Sequence, residues 1–434
     1  MFRQMLSLRR ALFCSLLFAC GASGAQDKPG SATVLHAARL LDVDAGKLLV
    51  PGEILVRGER IIAVGVQVEH PADAKFIDLG DRTLLPGFVD AHVHLFLHPG
   101  AEDAQTFNES VPERTIRATL AARDDLLAGF TAERDMGTEG AGAADSAVRD
   151  AIERGWIAGP RLRVSGNAID ILGGHEDANG YNPEQHALPN ADRANNIDEL
   201  VAVIRAQAKL GSDFVKIYET GKDRIASGQF STPYQFDEDE LRAAVREAAR
   251  LHRRVAVHAT GEPGTGMAAR AGVASIDHAY QLGAETMKLM CERGIFAVPT
   301  FAVLEHFTAH ATTPEAAARY RAIGAYHAEQ FKKQLAAGVP IALGSDVGPF
   351  PHGTQAREFE LLVAHGMTPI GAIRAGTVNG AQLLGWEKEI GRLATGYYAD
   401  IVAVPGDPLQ DIGVLKDVSF VMKGGVVHKS DVSR

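Results

Sequence analysis

Eight short apolar runs recur through the middle of the chain, each separated from the next by a longer stretch. They fall at residues 88–91, 131–134, 161–165, 214–217, 255–257, 275–276, 296–298 and 341–343. Several of the stretches between them are amphipathic and alanine-rich. Residues 240–251, ELRAAVREAARL, repeat their apolar side chains at helical spacing. Runs such as Phe214-Val215-Lys216-Ile217 do not alternate polar with apolar. That is the pattern of parallel strands covered by helices. Eight such repeats predict an α/β fold, a TIM-type (β/α)8 barrel over residues 86–390. Residues 171–196, rich in Gly, Asn and Pro, form a long loop after the third strand, and long ordered loops usually serve function.

The flanks read differently. Short extended runs lie at 34–36, 53–56, 60–64 and 76–79, and again at 400–404, 418–422 and 424–427, with no helical period. Two such pieces at opposite ends of a chain satisfy their strand edges by pairing. Residues 32–85 and 391–430 are therefore expected to build one small β-sandwich domain from both termini. Residues 1–25 read as a signal peptide. Arg3, Arg9 and Arg10 precede the apolar run ALFCSLLFAC, and Ser23-Gly24-Ala25 offers a cleavage point. The run falls short of the about 20 apolar residues that span a bilayer, so no stable membrane span is expected. Leu17-Phe18-Ala19-Cys20 also permits a lipoprotein anchor at Cys20. Simple cleavage is the preferred reading, placing the mature chain in the periplasm or outside the cell. Cys14 and Cys20 lie in this leader. Cys291, alone in the body and within an apolar stretch, is expected to be a buried thiol. A net charge of −10 with no basic block excludes nucleic acid as a partner. A homo-oligomer is allowed but not specified.

Chemistry in such barrels sits at the C-terminal strand ends. The first run ends in His92 and His94, which share a face because side chains alternate along a strand. The third leads to Gly173-Gly174-His175. The fourth carries Lys216, the fifth ends in His258, the sixth in His278, and the eighth in Asp346. Singly, each has a bland reading: a core histidine, a snorkelling lysine, a helix-capping aspartate. Together they place imidazoles, a carboxylate and a lysine on one rim.

This constellation resembles the amidohydrolase superfamily. The carrying pieces are LLPGFVDAHVHL, LLAGFTAERDMG, GSDFVKIY, VAVHATG, SIDHA, ALGSDVG and GRLATGYYADIVAV. Within it the chain looks most like the imidazolonepropionase-related branch, with its Xaa-Pro dipeptidases, N-acyl amino acid carboxypeptidases and ochratoxinases. Lysine at 216 is the discriminating feature. The resemblance implies that His92, His94 and Asp346 hold one divalent metal and His258 and His278 a second. Lys216, carboxylated by CO₂, would bridge them. An ammonium cannot bind a cation, whereas a carbamate is an anionic oxygen ligand, and a buried lysine of lowered pKa is the one that reacts. Zinc suits N/O ligands best.

The expected reaction is amide hydrolysis of an N-acyl amino acid, a dipeptide of Xaa-Pro type or an ochratoxin-like amide. A hydroxide bridging the two ions attacks the carbonyl. His175 helps polarise its oxygen, and Asp346 moves the proton to the leaving amine. Tyr218 and Tyr234 are candidates to grip the substrate's α-carboxylate, and His352 to line the pocket. Many relatives carry an aromatic or imidazole two residues past the fifth-strand histidine; here Thr260 stands there. His98, His306, His310 and His365 are expected to be structural or at the surface. Hydrolysis of a cyclic amide or lactone on the same site is the alternative activity. A non-catalytic metal-binding protein would lack ligands that this chain has.

Overall fold

The computed structural model describes residues 32–177, 184 and 189–431. The leader expected at 1–25, with Cys14 and Cys20, lies outside the described residues. Strands from both flanks enter two facing sheets. One has the order Arg60–Gly65, Gly52–Arg57, Ala32–Ala37, Lys75–Asp78. The other runs Val426–Ser430, Phe420–Lys423, Ile401–Pro405, Arg82–Pro86, Arg39–Asp42, Lys47–Leu49. The two flanks join where Ile401–Pro405 pairs antiparallel with Arg82–Pro86, from Ile401 opposite Pro86 to Pro405 opposite Arg82. Leu35, Ile54, Val56, Leu84, Ile401 and Phe420 bury into one core shared by both sheets, as the inner faces of a sandwich do.

Gly87 is the passage from sandwich to barrel. A Cβ there would lie 2.0 Å from Thr131 Oγ1, so only glycine lets the chain pass this close to the second strand. Phe88–Val93, Phe130–Asp135 and Arg161–Val164 then pair in parallel. Val215–Tyr218, Val255–Ala259, Ser275–His278 and Phe296–Val298 do the same. Between the two sets, Asp213 N donates to Val164 O at 2.7 Å, and Ile169 of the short strand Ile169–Asp170 pairs with Ile217.

The eighth run departs from expectation. Residues 341–343 form no regular strand; Ile341 bridges Ala297, and further bonds are made one at a time. Ala91 N donates to Leu343 O, Asp346 N to His92 O and His94 N to Val347 O, each at 2.8 Å. The ladder cannot run on because the backbone turns left-handed at Asp346, φ 60°. The bonds still close the ring between the seventh and first strands.

Helices alternate with these strands, among them Val111–Leu127, Ile197–Leu210, Glu238–Arg250 and Pro314–Ala337. Glu238–Arg250 starts at a reciprocal cap. Asp237 Oδ1 accepts from Glu240 N, and Glu240 Oε2 accepts from Asp237 N, both at 2.9 Å. Its Leu241, Ala244 and Ala248 face inward at the spacing one helix stripe requires. No described helix is long and apolar enough to cross a membrane. Cys291 corrects an expectation. The helix Ala284–Arg293 buries Thr286 and Met290, and one further residue rotates Cys291 about 100° off that stripe, leaving it exposed.

Candidate metal centre and active site

His92, His94, His175, Lys216, Tyr218, His258, His278 and Asp346 all line one cavity of about 470 Å³. Strand periodicity brings His92 and His94 together, ring centroids 5.3 Å apart. His278 needs a different device. Asp277 and His278 are neighbours on one strand, yet both reach the interior, because His278 takes a left-handed φ of 72° and ends the strand. Asp346, Thr300 and Glu139 also have positive φ, at 60°, 54° and 48°. Strained non-glycine backbone gathered in one place is held there by the surrounding fold.

One ligand-type atom each from His92, His278 and Asp346 lies within 4.8 Å of the others. Asp346 Oδ1 is 3.5 Å from His92 Nε2 and 3.4 Å from His94 Nε2. The His258 ring lies 4.5 Å from that of His278. His258 Nε2 and Lys216 Nζ are buried with no hydrogen-bond partner among the described residues. An orphaned buried amine costs free energy. Imidazoles, a carboxylate and such an amine are donors that divalent cations and a carbamate would satisfy together.

Behind the imidazoles stand groups that aim them. Asp277 Oδ2 lies 3.0 Å from His92 Nδ1 and also meets Arg134 Nη2 at 3.1 Å. His278 Nδ1 is 2.7 Å from Thr300 Oγ1. His94 Nδ1 is 3.0 Å from Glu139 Oε1, an ion-pair contact outside hydrogen-bond geometry. Each contact occupies Nδ1 and leaves Nε2 for the cavity. Arg114, fully buried, donates to the carbonyls of Phe96, Thr138 and Glu139, pinning the loops after the first two strands.

Burial drives the imidazoles of His92, His258 and His278 well below their ordinary pKa, leaving them in the neutral form that binds metal. His94 is pushed up to about 9. Burial opposes its proton, but Glu139 and Asp346 outweigh that, so a metal bound there must displace the proton. Burial lowers Lys216 and raises Asp346, which makes the lysine a better nucleophile and the carboxylate a better base. His175 is pushed down to about 4, chiefly by burial. Its backbone N–H donates to Gln235 Oε1 at 2.6 Å, and its ring stacks on Tyr218 at 5.2 Å and lies 4.1 Å from His258.

Two expected pocket residues lie elsewhere. Tyr234 is 53% exposed; its backbone bridges Thr220, and the ring turns to solvent. His352 is held by Asp125 Oδ2 at 2.7 Å and by Leu97 O at 3.3 Å, a buried pair outside the cavity lining. His98, His306 and His310 lie outside the cavity lining, His310 at the surface. His98 bonds Glu109, and His306 stacks on His310. Asp277, Glu139 and Thr300 were not singled out from the sequence. Asp277 left one signal there: a second polar residue directly before His278.

The family model described as amidohydrolase family matches residues 83–429. The chain belongs to the amidohydrolase family and is a hydrolase. Ochratoxinase of Aspergillus niger is 31% identical over 432 aligned residues, covering 88% of this chain and 85% of that protein. Imidazolonepropionase of Symbiobacterium thermophilum is 28% identical, covering 82% and 84%. Among solved structures, a Xaa-Pro dipeptidase with methionine bound in its active site superposes with a TM-score of 0.84 at 32% identity, over 92% of this chain and 100% of that one. The A. niger ochratoxinase structure superposes with a TM-score of 0.80 at 28% identity, over 93% and 97%.

Proposed function

We propose that this chain is a binuclear metal-dependent amidohydrolase whose substrates release an amino acid: N-acyl amino acids, dipeptides of Xaa-Pro type or ochratoxin-like amides. The observation that carries it is Lys216 Nζ, buried with no hydrogen-bond partner among the described residues, in a cavity also lined by His92, His94, His258, His278 and Asp346. His92, His94 and Asp346 would hold one ion, His258 and His278 the other, and carboxylated Lys216 both. When bound, divalent ions, zinc by preference, supply Lewis acidity and lower the pKa of water.

The chain's own residues do the rest. Water adds to the amide carbon, and Asp346, its carboxyl raised by burial, takes a proton from it. His175, neutral at working pH, donates a hydrogen bond to the carbonyl oxygen as charge builds there. The C–N bond breaks, and the proton on Asp346 passes to the leaving amine. Tyr218, stacked on His175, fixes the ring and borders the substrate. The mature protein acts in the periplasm or outside the cell, starting after Ala25; N-terminal sequencing of the exported form would reveal that start.

The test is a side-by-side panel on the mature protein: N-acetyl-phenylalanine, Xaa-Pro dipeptides, ochratoxin A and simple lactones. The expected result is turnover of at least one acyclic amide, abolished by a chelator and restored by zinc. Turnover confined to lactones, or indifferent to full metal removal, would overturn the reading.

A further inference from the structure

Lys222 and Arg319 face the cavity from different parts of the chain. No salt bridge joins either to a carboxylate among the described residues, and Arg319 instead lies over the Tyr320 ring at 4.9 Å. Arg161, in a second cavity near the small sheets, by contrast meets Asp400 Oδ2 at 2.8 Å. The one acid beside the pair, Asp223, is already engaged. Its Oδ1 accepts from Thr260 Oγ1 at 2.6 Å, and Thr260 Oγ1 also lies 3.1 Å from Thr220 Oγ1. These bonds tie the loop that carries Lys222 to the end of the fifth strand. Thr260 thus holds the loop where many relatives carry a ring. Leu97, Val303, Leu304, Phe307 and Ile323 line the same cavity, Ile323 one turn from Arg319 on the helix Pro314–Ala337. Two cations at the exposed rim of a cavity with an apolar lining suit an anion with an apolar body.

We propose that Lys222 and Arg319 are the specificity-determining pair that binds the substrate's carboxylate, while the wall formed by Leu97, Val303, Leu304, Phe307 and Ile323 takes an apolar side chain. This rests on the amidohydrolase reading and narrows it to acyl amino acids with a free carboxylate and an apolar residue. The grip expected of Tyr234 falls to this pair.

The test compares a carboxylate with its neutral twin on the metal-loaded protein. Calorimetry reads the affinity ratio of 3-phenylpropanoate over 3-phenylpropanamide; kinetics reads kcat/KM for N-acetyl-phenylalanine over its carboxamide. Lys222→Met and Arg319→Met should each lower both ratios about tenfold or more, the kinetic loss carried by KM, with metal content as the control for folding. Ratios that hold in both variants overturn the pair while leaving the amidohydrolase reading intact. A protein that hydrolyses no acyclic amide, Xaa-Pro dipeptides and ochratoxin A included, overturns that reading, and the calorimetric ratio still decides the pair.

Discussion

Asp277 does two jobs with one carboxylate. It receives Arg134, the guanidinium in the barrel interior, and it faces His92 Nδ1. The second contact fixes which nitrogen His92 presents to the cavity. Asp277→Asn keeps the shape but can bond His92 in the wrong tautomer, so metal affinity should fall about tenfold to a hundredfold, read by competition with a chromogenic chelator. Unchanged affinity would mean that His92 is aimed by something else. Glu219 makes a different kind of prediction. It is fully buried just past the fourth strand, its oxygens unpartnered among the described residues, and burial pushes its carboxyl up to about 9. The folded protein keeps this proton up to that pH, whereas the unfolded chain releases it near the ordinary value of 4.5. Between those values the unfolded state binds fewer protons, so stability falls as pH rises, by at most about 1.4 kcal/mol per pH unit for one group. Thermal melts from pH 6 to 9 should show that decline, and Glu219→Gln should flatten it. The ligand-type residues were legible because strand periodicity and strand ends announce them. Asp277, Glu139 and Thr300 were not, since their value arises only where separate strands converge. Tyr234 and His352 were misread for the same reason: nearness in sequence to a strand end does not say where a ring turns.

At the scale of elements, the eighth barrel segment is the most exacting. Gly344 lies so close to its neighbours that a Cβ would fall 2.3 Å from Val298 Cγ1 and 2.8 Å from His92 Cβ. His92 sits on one side and Asp346 two residues on, so any relief of the clash displaces a proposed ligand. Gly344→Ala should destabilise the fold by about 1–3 kcal/mol and lower metal content, measured by urea titration and elemental analysis. Full stability would show that the segment has room to spare. The apolar runs fixed seven of the barrel strands to within a few residues at their ends. The eighth was read as a strand from its Ile341, Ala342 and Leu343, yet its bonding is set by a left-handed Asp346 that no local pattern reveals. The same limit explains Cys291, where an apolar neighbourhood concealed a one-residue rotation around a helix.

For the whole molecule, the order of events along the chain follows from where its ends meet. The first barrel strand leaves a sheet that is completed only when Ile401–Pro405 pairs with Arg82–Pro86, so the strand bearing His92 is anchored by residues more than three hundred positions away. The barrel then collects six side chains from five of its segments into one buried cluster, of which four are imidazoles and one is an amine with no acceptor among the described residues. The same cavity is lined by both signs of charge, Glu102, Glu139 and Glu176 as well as Lys222 and Arg319. The central claim is that Lys216 completes a two-metal centre as a carbamate. The most direct measurement is metal per chain, by elemental analysis of wild type and Lys216→Ala, each reconstituted with zinc in bicarbonate. The account predicts about two ions per wild-type chain and loss of most of the second in the variant, with activity lost alongside. A variant that keeps the full wild-type metal load and turnover would contradict it.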